Sequence, residues 1–167
     1  MTITFQGSPQ QVSGRFLQPG DVAPDFKLRS KDLEPIILSD FRGKWLILNI
    51  FLSVDTPVCA SSVKEFSRKL ANLGDNNVAL LCISADLPFA LGRFLSTEKI
   101  ENIRAASCFQ SPLFTRSYGV NLTQGVLKGL AARAVIVIDE NGIVKYSQLV
   151  KEITEEPNYE LALKAIS

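Results

Sequence analysis

The chain contains no histidine among its 167 residues. Nucleophilic sites that pair a cysteine or a serine with histidine therefore cannot be built from it. Its three cysteines, Cys59, Cys82 and Cys108, do not show the paired spacing that is typical of a structural zinc site. If a cysteine carries the chemistry of this protein, its thiolate must be stabilised by something other than an imidazole.

The sequence also lacks an excess of charge of one sign and long apolar runs. The net charge is +1, and the basic residues are scattered, so the sequence gives no electrostatic sign of binding to nucleic acid or to a membrane surface. The longest apolar run, WLILNIFLSV at 45–54, is about half as long as a membrane-spanning helix requires. We therefore expect neither a nucleic acid nor a membrane as a partner.

The low and odd cysteine count argues against a secreted disulfide framework and favours a reducing compartment. The first residues, MTITFQGSPQQ, have neither the basic nor the apolar region of a secretory signal. We therefore expect a cytoplasmic location. The length and the 46% hydrophobic content predict a single domain over residues 1–167 with a sizeable core.

Apolar periodicity and turn residues predict an alternation of strands and helices. Segments TITFQ and QQVSGRF around GSP predict an N-terminal hairpin over residues 1–17, and a loop rich in Pro and Gly follows at 18–26. The further predicted elements are strands at 35–39, 45–51, 78–85 and 103–109, a helix after Thr56 that GDNN at 74–77 ends, helices at 88–96, 111–119 and 155–167, a glycine-containing loop at 120–132, and a hairpin at 133–150 around Asn141 and Gly142. This order predicts an α/β layered domain with a mixed sheet.

The segment SVDTPVCASSVKEF, residues 53–66, places a cysteine at the start of the predicted helix. Pro57 suits the first helical position, which makes Thr56 the expected N-cap and puts Cys59 in the first turn. Free backbone N–H groups and the positive end of the helix dipole favour a thiolate there. Cys59 also follows a buried strand, at the sheet edge where ligand sites of α/β folds collect. The alternative is that Cys59 is a small apolar residue packed in the turn.

Several strings in the chain resemble the bacterial thiol peroxidase branch of the peroxiredoxins: TPVC, which fits T-x-x-C, together with TITFQGSP, NIFLSVDTPVCA, LCISADLPFA, KGLAARAVIVIDENG and QLVKEITEEPNYE. The resemblance covers nearly the whole chain. It implies a thioredoxin-like fold with a mixed central sheet flanked by helices and an N-terminal β-hairpin. It also implies a peroxidatic cysteine at Cys59, no cofactor, and usually a homodimer.

The resemblance also implies roles for two further residues. Thr56 supplies its hydroxyl to the thiolate and the peroxide, and Arg133 supplies a fixed positive charge with several donors. The alternatives are that Thr56 is only an N-cap and that Arg133 belongs to a surface ion pair. In the implied reaction the thiolate attacks one oxygen of a peroxide, the other oxygen leaves, and the cysteine becomes a sulfenic acid.

Two positions depart from the pattern of that branch. Leu52 stands where a proline usually precedes the peroxidatic cysteine, so the apolar shielding is kept while the fixed φ is lost. Leu95 stands where the resolving cysteine is expected, so the usual internal disulfide cannot form. Three explanations follow. In the first, an external thiol reduces oxidised Cys59; in the second, the resolving residue is instead Cys82 or Cys108; in the third, the peroxidase activity is reduced. For Cys82 and Cys108 the alternative is simple packing in or beside strands.

The leading functional hypothesis is a thiol-dependent peroxidase that acts on hydrogen peroxide or alkyl hydroperoxides and is recycled by an external thiol such as thioredoxin. A thioredoxin-type disulfide reductase is a second hypothesis, but it requires C-x-x-C, and Thr56 stands at the first of those positions. A peroxide sensor or interaction module with the same reactive cysteine and little turnover is the third.

Overall fold

The computed structural model describes residues 2–74 and 77–166. The strands are β1 (Thr2–Phe5), β2 (Ser8–Ser13), β3 (Lys27–Ser30), β4 (Pro35–Ile37), β5 (Trp45–Ile50), β6 (Val78–Ser84), β7 (Arg104–Ser107), β8 (Asn121–Leu122), β9 (Ala134–Ile138) and β10 (Val144–Leu149). The helices are α1 (Pro57–Leu73), α2 (Pro88–Thr97), α3 (Pro112–Ser117) and α4 (Tyr159–Lys164), with 3-10 turns at Leu38–Phe41 and Gly125–Leu127. Four residues of predicted elements lie outside the described residues. They are Met1 of the N-terminal hairpin, Asp75 and Asn76 of the segment that ends the first helix, and Ser167 of the C-terminal helix.

Seven of the described strands form one mixed sheet in the order β10-β9-β5-β6-β7-β3-β4. The three central strands β5, β6 and β7 are parallel, and the outer pairs are antiparallel. All six residues of β5 are buried, as its continuous apolar run predicts. The predicted α/β fold with a mixed sheet is confirmed, and the carboxyl ends of β5, β6 and β7 lie at one edge of that sheet.

Helix α1 begins and ends as its sequence predicts. Val63 and Phe66, three residues apart on one face of the helix, are buried, and the Phe66 ring meets the Tyr159 ring edge-on with 4.9 Å between centroids. The face ends before Leu73, which is 42% exposed. Gly74 ends the helix in the left-handed conformation, with φ of 68°, where a glycine has no Cβ to clash.

Several predicted boundaries differ from the structure. Strands β3 and β8 are absent from the prediction, because β3 has charged residues at alternate positions and β8 has only two residues. The turn of the first hairpin is Gln6–Gly7 rather than GSP, since Gln6 and Gly7 both take positive φ values, and its second strand ends at Ser13. The C-terminal helix is shorter than predicted because it begins only after Pro157, at the N-cap Asn158.

The first hairpin forms a second sheet with β8, in the order β1-β2-β8. It lies beside the segment that follows β10, because the Thr4 N–H donates to the Lys151 carbonyl (2.7 Å) and the Ile153 N–H donates to the Thr4 carbonyl (2.8 Å). The hairpin turn is therefore held next to Ile153. The assignment of residues 1–167 to one domain stays a prediction.

No helix in the part of the chain that the structure describes is long and apolar enough to cross a membrane.

Candidate active site

Cys59 lies in the first turn of α1, two residues after Pro57 at the first helical position. Its side chain is fully buried. The amide groups of a first helical turn have no acceptor within the helix, and the helix dipole is positive at that end. Both effects stabilise negative charge on the Cys59 sulfur.

Arg133 contacts that sulfur directly. Its Nη2 donates to Cys59 Sγ at 3.1 Å, and its Nε donates to the Ile153 carbonyl at 2.8 Å, which fixes the plane of the guanidinium. Arg133 is 1% exposed, so it is not the surface residue of the alternative interpretation. Among residues 2–74 and 77–166 no carboxylate lies within ion-pair distance of it. A buried cation is costly unless it is paired, and the group that the structure places beside it is the Cys59 sulfur.

One nitrogen of this guanidinium is free to bind a ligand. Arg133 Nη1 is buried and has no hydrogen-bond partner among the described residues. Leaving such a donor unsatisfied is unfavourable, so the site favours a small molecule with an acceptor atom beside the sulfur.

Thr56 is the N-cap of α1, as predicted, but its hydroxyl does not cap the helix. Its Oγ1 donates to the Ser53 carbonyl at 2.8 Å, and the Thr56 N–H donates to the same carbonyl at 3.1 Å. The short turn from Ser53 to Thr56 therefore takes the hydroxyl hydrogen. The lone pairs of Thr56 Oγ1 are left to accept a hydrogen bond from a bound molecule.

A cavity of about 230 Å³ opens onto Thr56 and Arg133. Its wall is mostly apolar, and Gln6 and Thr154 complete it. The apolar lining residues are Phe5, Leu52, Pro57, Val58 and Ile153. A nucleophilic sulfur, a fixed cation and a small apolar cavity together suit attack by sulfur on a small molecule whose leaving atom becomes negative. The structure thus brings the three predicted site residues, Cys59, Thr56 and Arg133, to one place.

Asp86 holds the loop that carries Thr56. Its Oδ1 accepts from Ser53 Oγ at 2.6 Å, and its Oδ2 accepts from the Val54 N–H at 2.9 Å and from Ser84 Oγ at 2.6 Å. Asp86 lies two residues after the end of β6, so the loop after β5 is fixed to the neighbouring strand at the sheet edge. Through Ser53, whose carbonyl holds the Thr56 hydroxyl, Asp86 sets the position of that hydroxyl.

We expect Asp86→Asn to lower the free energy of unfolding by about 1–2 kcal/mol, because either position of the amide nitrogen faces a donor. Urea denaturation checks this value. Asp32→Asn is the matched control, since Asp32 is exposed and its carboxylate has no hydrogen bond or ion pair to the described residues. An Asp86→Asn protein as stable as the control would contradict the role given to this carboxylate.

A buried polar chain lies under Cys59. Asn49 Nδ2 donates to Ser62 Oγ at 3.2 Å, and Ser62 Oγ donates to the Cys59 carbonyl at 2.8 Å. Asn49 Nδ2 also lies 3.7 Å from Cys82 Sγ. The chain links the first turn of α1 to the middle of β5 and β6.

Cys82 and Cys108 are both free and buried. Burial raises the pKa of each thiol to about 12, and the Asp86 charge adds to the effect at Cys108. Both are therefore protonated and poorly nucleophilic at neutral pH in this conformation, which favours the packing interpretation over a resolving role.

Leu52 and Leu95, the two positions where we expect a departure from the family pattern, both have buried side chains. Leu52 is 4% exposed and lines the cavity, so it supplies the apolar shielding that was expected of it. Leu95 is 6% exposed and packs from α2 into the core.

Three polar residues of the site region were missed in the sequence: Asn49, Ser62 and Asp86. Asn49 is the one polar residue within the apolar run WLILNIF, and that interruption is a usable signal because a strand buried on both faces rarely takes an amide. Asp86 directly follows the predicted strand at 78–85, which is the position of a sheet-edge residue. Ser62 gives no such signal, because serine is common on helices.

Comparisons with known proteins identify relatives of this chain. The family model described as Redoxin matches residues 18–163. A thiol peroxidase of Vibrio cholerae serotype O1 is 48% identical over 166 residues, which are 99% of this chain and 100% of that protein. A thiol peroxidase of Corynebacterium glutamicum is 50% identical over 163 residues, 98% of this chain and 97% of that protein. The crystal structure of a peroxiredoxin-like protein from Aquifex aeolicus superimposes with a TM-score of 0.91 at 40% identity, covering 98% of this chain and 95% of that one.

Proposed function

The chain belongs to the redoxin family and reduces peroxides at the expense of thiols, and from this premise we propose that Cys59 is the peroxidatic residue, assisted by Arg133 and Thr56. The observation that carries the proposal is the hydrogen bond of 3.1 Å from the buried Arg133 Nη2 to Cys59 Sγ. A buried guanidinium with no carboxylate partner among the described residues supports an anionic sulfur as its counterion.

The proposed reaction begins when a hydroperoxide enters the cavity of Phe5, Leu52 and Ile153. Its O–H donates to Thr56 Oγ1, whose own hydrogen is held by Ser53, and an oxygen accepts from the free Arg133 Nη1. The sulfur lone pair attacks the terminal oxygen, an S–O bond forms and the O–O bond breaks. The second oxygen leaves with the electron pair as an alkoxide or hydroxide, takes up a proton, and Cys59 remains as sulfenic acid. Arg133 stabilises the charge on the departing oxygen.

Recycling is proposed to depend on an external thiol. Leu95 at the position of the expected resolving cysteine removes the internal partner in α2, and the protonated, buried thiols of Cys82 and Cys108 are poor substitutes. A thiol of thioredoxin or of a small molecule attacks the sulfenic sulfur and releases water, and a second thiol reduces the mixed disulfide. Hydrogen peroxide or an alkyl hydroperoxide is the oxidant.

Intact-mass analysis of the reduced protein after one equivalent of peroxide tests the site. We expect the mass of one added oxygen, mapped to Cys59, and its removal by dithiothreitol. Peroxide that persists while Cys59 stays unmodified would overturn the assignment. Continuous peroxide consumption with dithiothreitol or thioredoxin is expected as well. A single stoichiometric burst under every reductant would indicate the sensor, which the similarity to thiol peroxidases does not favour.

We also propose a cytoplasmic homodimer. The three free cysteines support a reducing compartment. Exposed apolar side chains at the carboxyl ends of β6 and β7 offer a surface that a second copy can bury: Leu87, Phe89, Phe109 and Leu113. Analytical ultracentrifugation tests the dimer, and a monomer at micromolar concentration would contradict it.

A further inference from the structure

Glu152, which the reaction above does not use, accepts an unusual number of hydrogen bonds. Its Oε1 accepts from Thr4 Oγ1 (2.8 Å) and from the Gly7 N–H (2.9 Å). Its Oε2 accepts from the Gln6 N–H (3.1 Å), the Thr154 N–H (2.9 Å) and Thr154 Oγ1 (2.6 Å). The carboxylate therefore accepts five hydrogen bonds, and all five donors are uncharged hydroxyl or backbone N–H groups.

The same hydrogen bonds hold the pKa of the Glu152 carboxyl well below its usual range, with the Thr154 hydroxyl as the largest cause and the Thr154 and Gly7 N–H groups next. The group is thus ionised throughout the working pH range. An ionised carboxylate is the form that can satisfy five donors at once.

These donors come from two segments that are far apart in sequence. Thr4, Gln6 and Gly7 belong to the N-terminal hairpin and its turn, whereas Thr154 follows β10. Gln6 has a positive φ of 51° and is not a glycine, so its backbone conformation costs free energy that a hydrogen bond to its N–H can offset. Glu152 accepts that hydrogen bond and fixes the turn to the segment Ile153–Thr154.

Both joined segments line the active-site cavity. Phe5 and Gln6 come from the hairpin, and Ile153 and Thr154 come from the other segment. The Ile153 carbonyl also accepts the hydrogen bond of Arg133 Nε. The wall that Glu152 assembles therefore lies next to the guanidinium, where the group attached to the leaving oxygen of a hydroperoxide must sit.

We propose that Glu152 is a positioning residue for peroxide selection. By fixing the Gln6–Gly7 turn against Ile153–Thr154 it makes the hairpin one wall of the cavity, and that wall favours organic hydroperoxides with an apolar group over hydrogen peroxide. This inference rests on the proposed function of the Cys59 site. Hydrogen peroxide has no apolar group to bury against Phe5 and Ile153, whereas a cumyl group does.

The test compares kcat/KM for cumene hydroperoxide and for hydrogen peroxide, with dithiothreitol as reductant. In Glu152→Gln an amide nitrogen faces two donors in one orientation and three in the other, so the turn is released. We expect the ratio of cumene hydroperoxide to hydrogen peroxide kcat/KM to fall about tenfold, mainly through a higher KM for the organic substrate. The matched control is Glu155→Gln, because Glu155 is exposed and its carboxylate has no hydrogen bond or ion pair to the described residues. The ratio of this variant should equal that of the wild type.

Phe5→Ala is the second variant, and it decides the question if Glu152→Gln does not fold. It leaves the donors to Glu152 in place and removes the apolar side chain that the hairpin brings to the cavity, so the ratio should fall in the same direction. A wild-type ratio in a folded Glu152→Gln protein, equal losses for both peroxides, or a wild-type ratio in Phe5→Ala would overturn this inference alone. A wild-type protein that consumes neither peroxide would overturn the proposed function and this inference with it.

Discussion

Cys59→Ser is expected to abolish peroxide turnover, with kcat/KM at least ~1,000-fold below that of the wild type. A serine hydroxyl is not ionised at neutral pH, so neither the first turn of α1 nor the guanidinium of Arg133 has an anion to stabilise. The loss applies to hydrogen peroxide and to organic hydroperoxides alike, because both react at the same sulfur. Steady-state peroxide consumption with dithiothreitol measures it, and intact-mass analysis should find no added oxygen at position 59.

Cys108→Ser is the control for this experiment. Cys108 is as free as Cys59 and follows β7, which lies on the other side of β6 from β5, but burial keeps its thiol protonated. We expect Cys108→Ser to retain turnover within about twofold of the wild type when dithiothreitol supplies the thiol. Turnover by Cys59→Ser, or loss of turnover in Cys108→Ser alone, would move the reactive site away from the start of α1.

Arg133→Met is expected to lower kcat/KM by about 100- to 1,000-fold, the range found when one preorganised donor to a developing oxyanion is removed. Methionine fills a similar volume, but it removes the contact of 3.1 Å with Cys59 Sγ and the Nη1 that has no partner among the described residues. The ultraviolet absorbance of the thiolate at neutral pH should fall as well. This spectroscopic change separates an effect on the sulfur from a general loss of structure.

Arg116→Gln controls for the loss of a positive charge, since Arg116 is exposed and has no ion pair among the described residues. Its activity should stay within about twofold of the wild type. Arg133→Lys keeps the positive charge but lacks the planar guanidinium, and its kcat/KM should lie between those of Arg133→Met and Arg116→Gln. An ammonium group cannot donate hydrogen bonds to the Ile153 carbonyl and to the sulfur in one fixed plane. An Arg133→Met protein that keeps both its thiolate absorbance and its rate would contradict the electrostatic role of this residue.

Much of this fold could be predicted from the sequence, for identifiable physical reasons. Strand β5 is apolar throughout because both faces of the central sheet are covered, and α1 has Pro57 at its start and Gly74 at its end. The hairpin of β9 and β10 has Asn141 and Gly142 at its turn. Strand β3 was missed since its side chains alternate between exposed charge and burial, and its place in the sheet depends on pairing with β7, which is remote in sequence.

Some residues of the candidate site could likewise be predicted from local sequence, and others could not. Cys59 and Thr56 could be placed from local signals, because a helix start has a recognisable pattern. Arg133 needed the family resemblance, since a single arginine before a buried strand does not reveal that it is itself buried. Asp86 and Glu152 act through contacts between distant segments, such as the bond of Glu152 to Thr4, and no local pattern encodes those contacts.

The complete burial of Cys59 has a consequence for the order of events in each catalytic cycle. In the proposed reaction a hydroperoxide approaches the sulfur from the cavity lined by Thr56 and Arg133. A protein thiol such as that of thioredoxin is too large for this cavity, so we expect reduction by a protein to require that the first turn of α1 unwinds. The Ser62 hydroxyl, bonded to the Cys59 carbonyl, holds that turn closed. While the turn is closed, the proposed sulfenic acid would be open to a second peroxide but shielded from a protein thiol. We therefore expect the rate of helix opening, relative to the peroxide concentration, to set how many turnovers precede irreversible oxidation of the Cys59 sulfur to sulfinic acid.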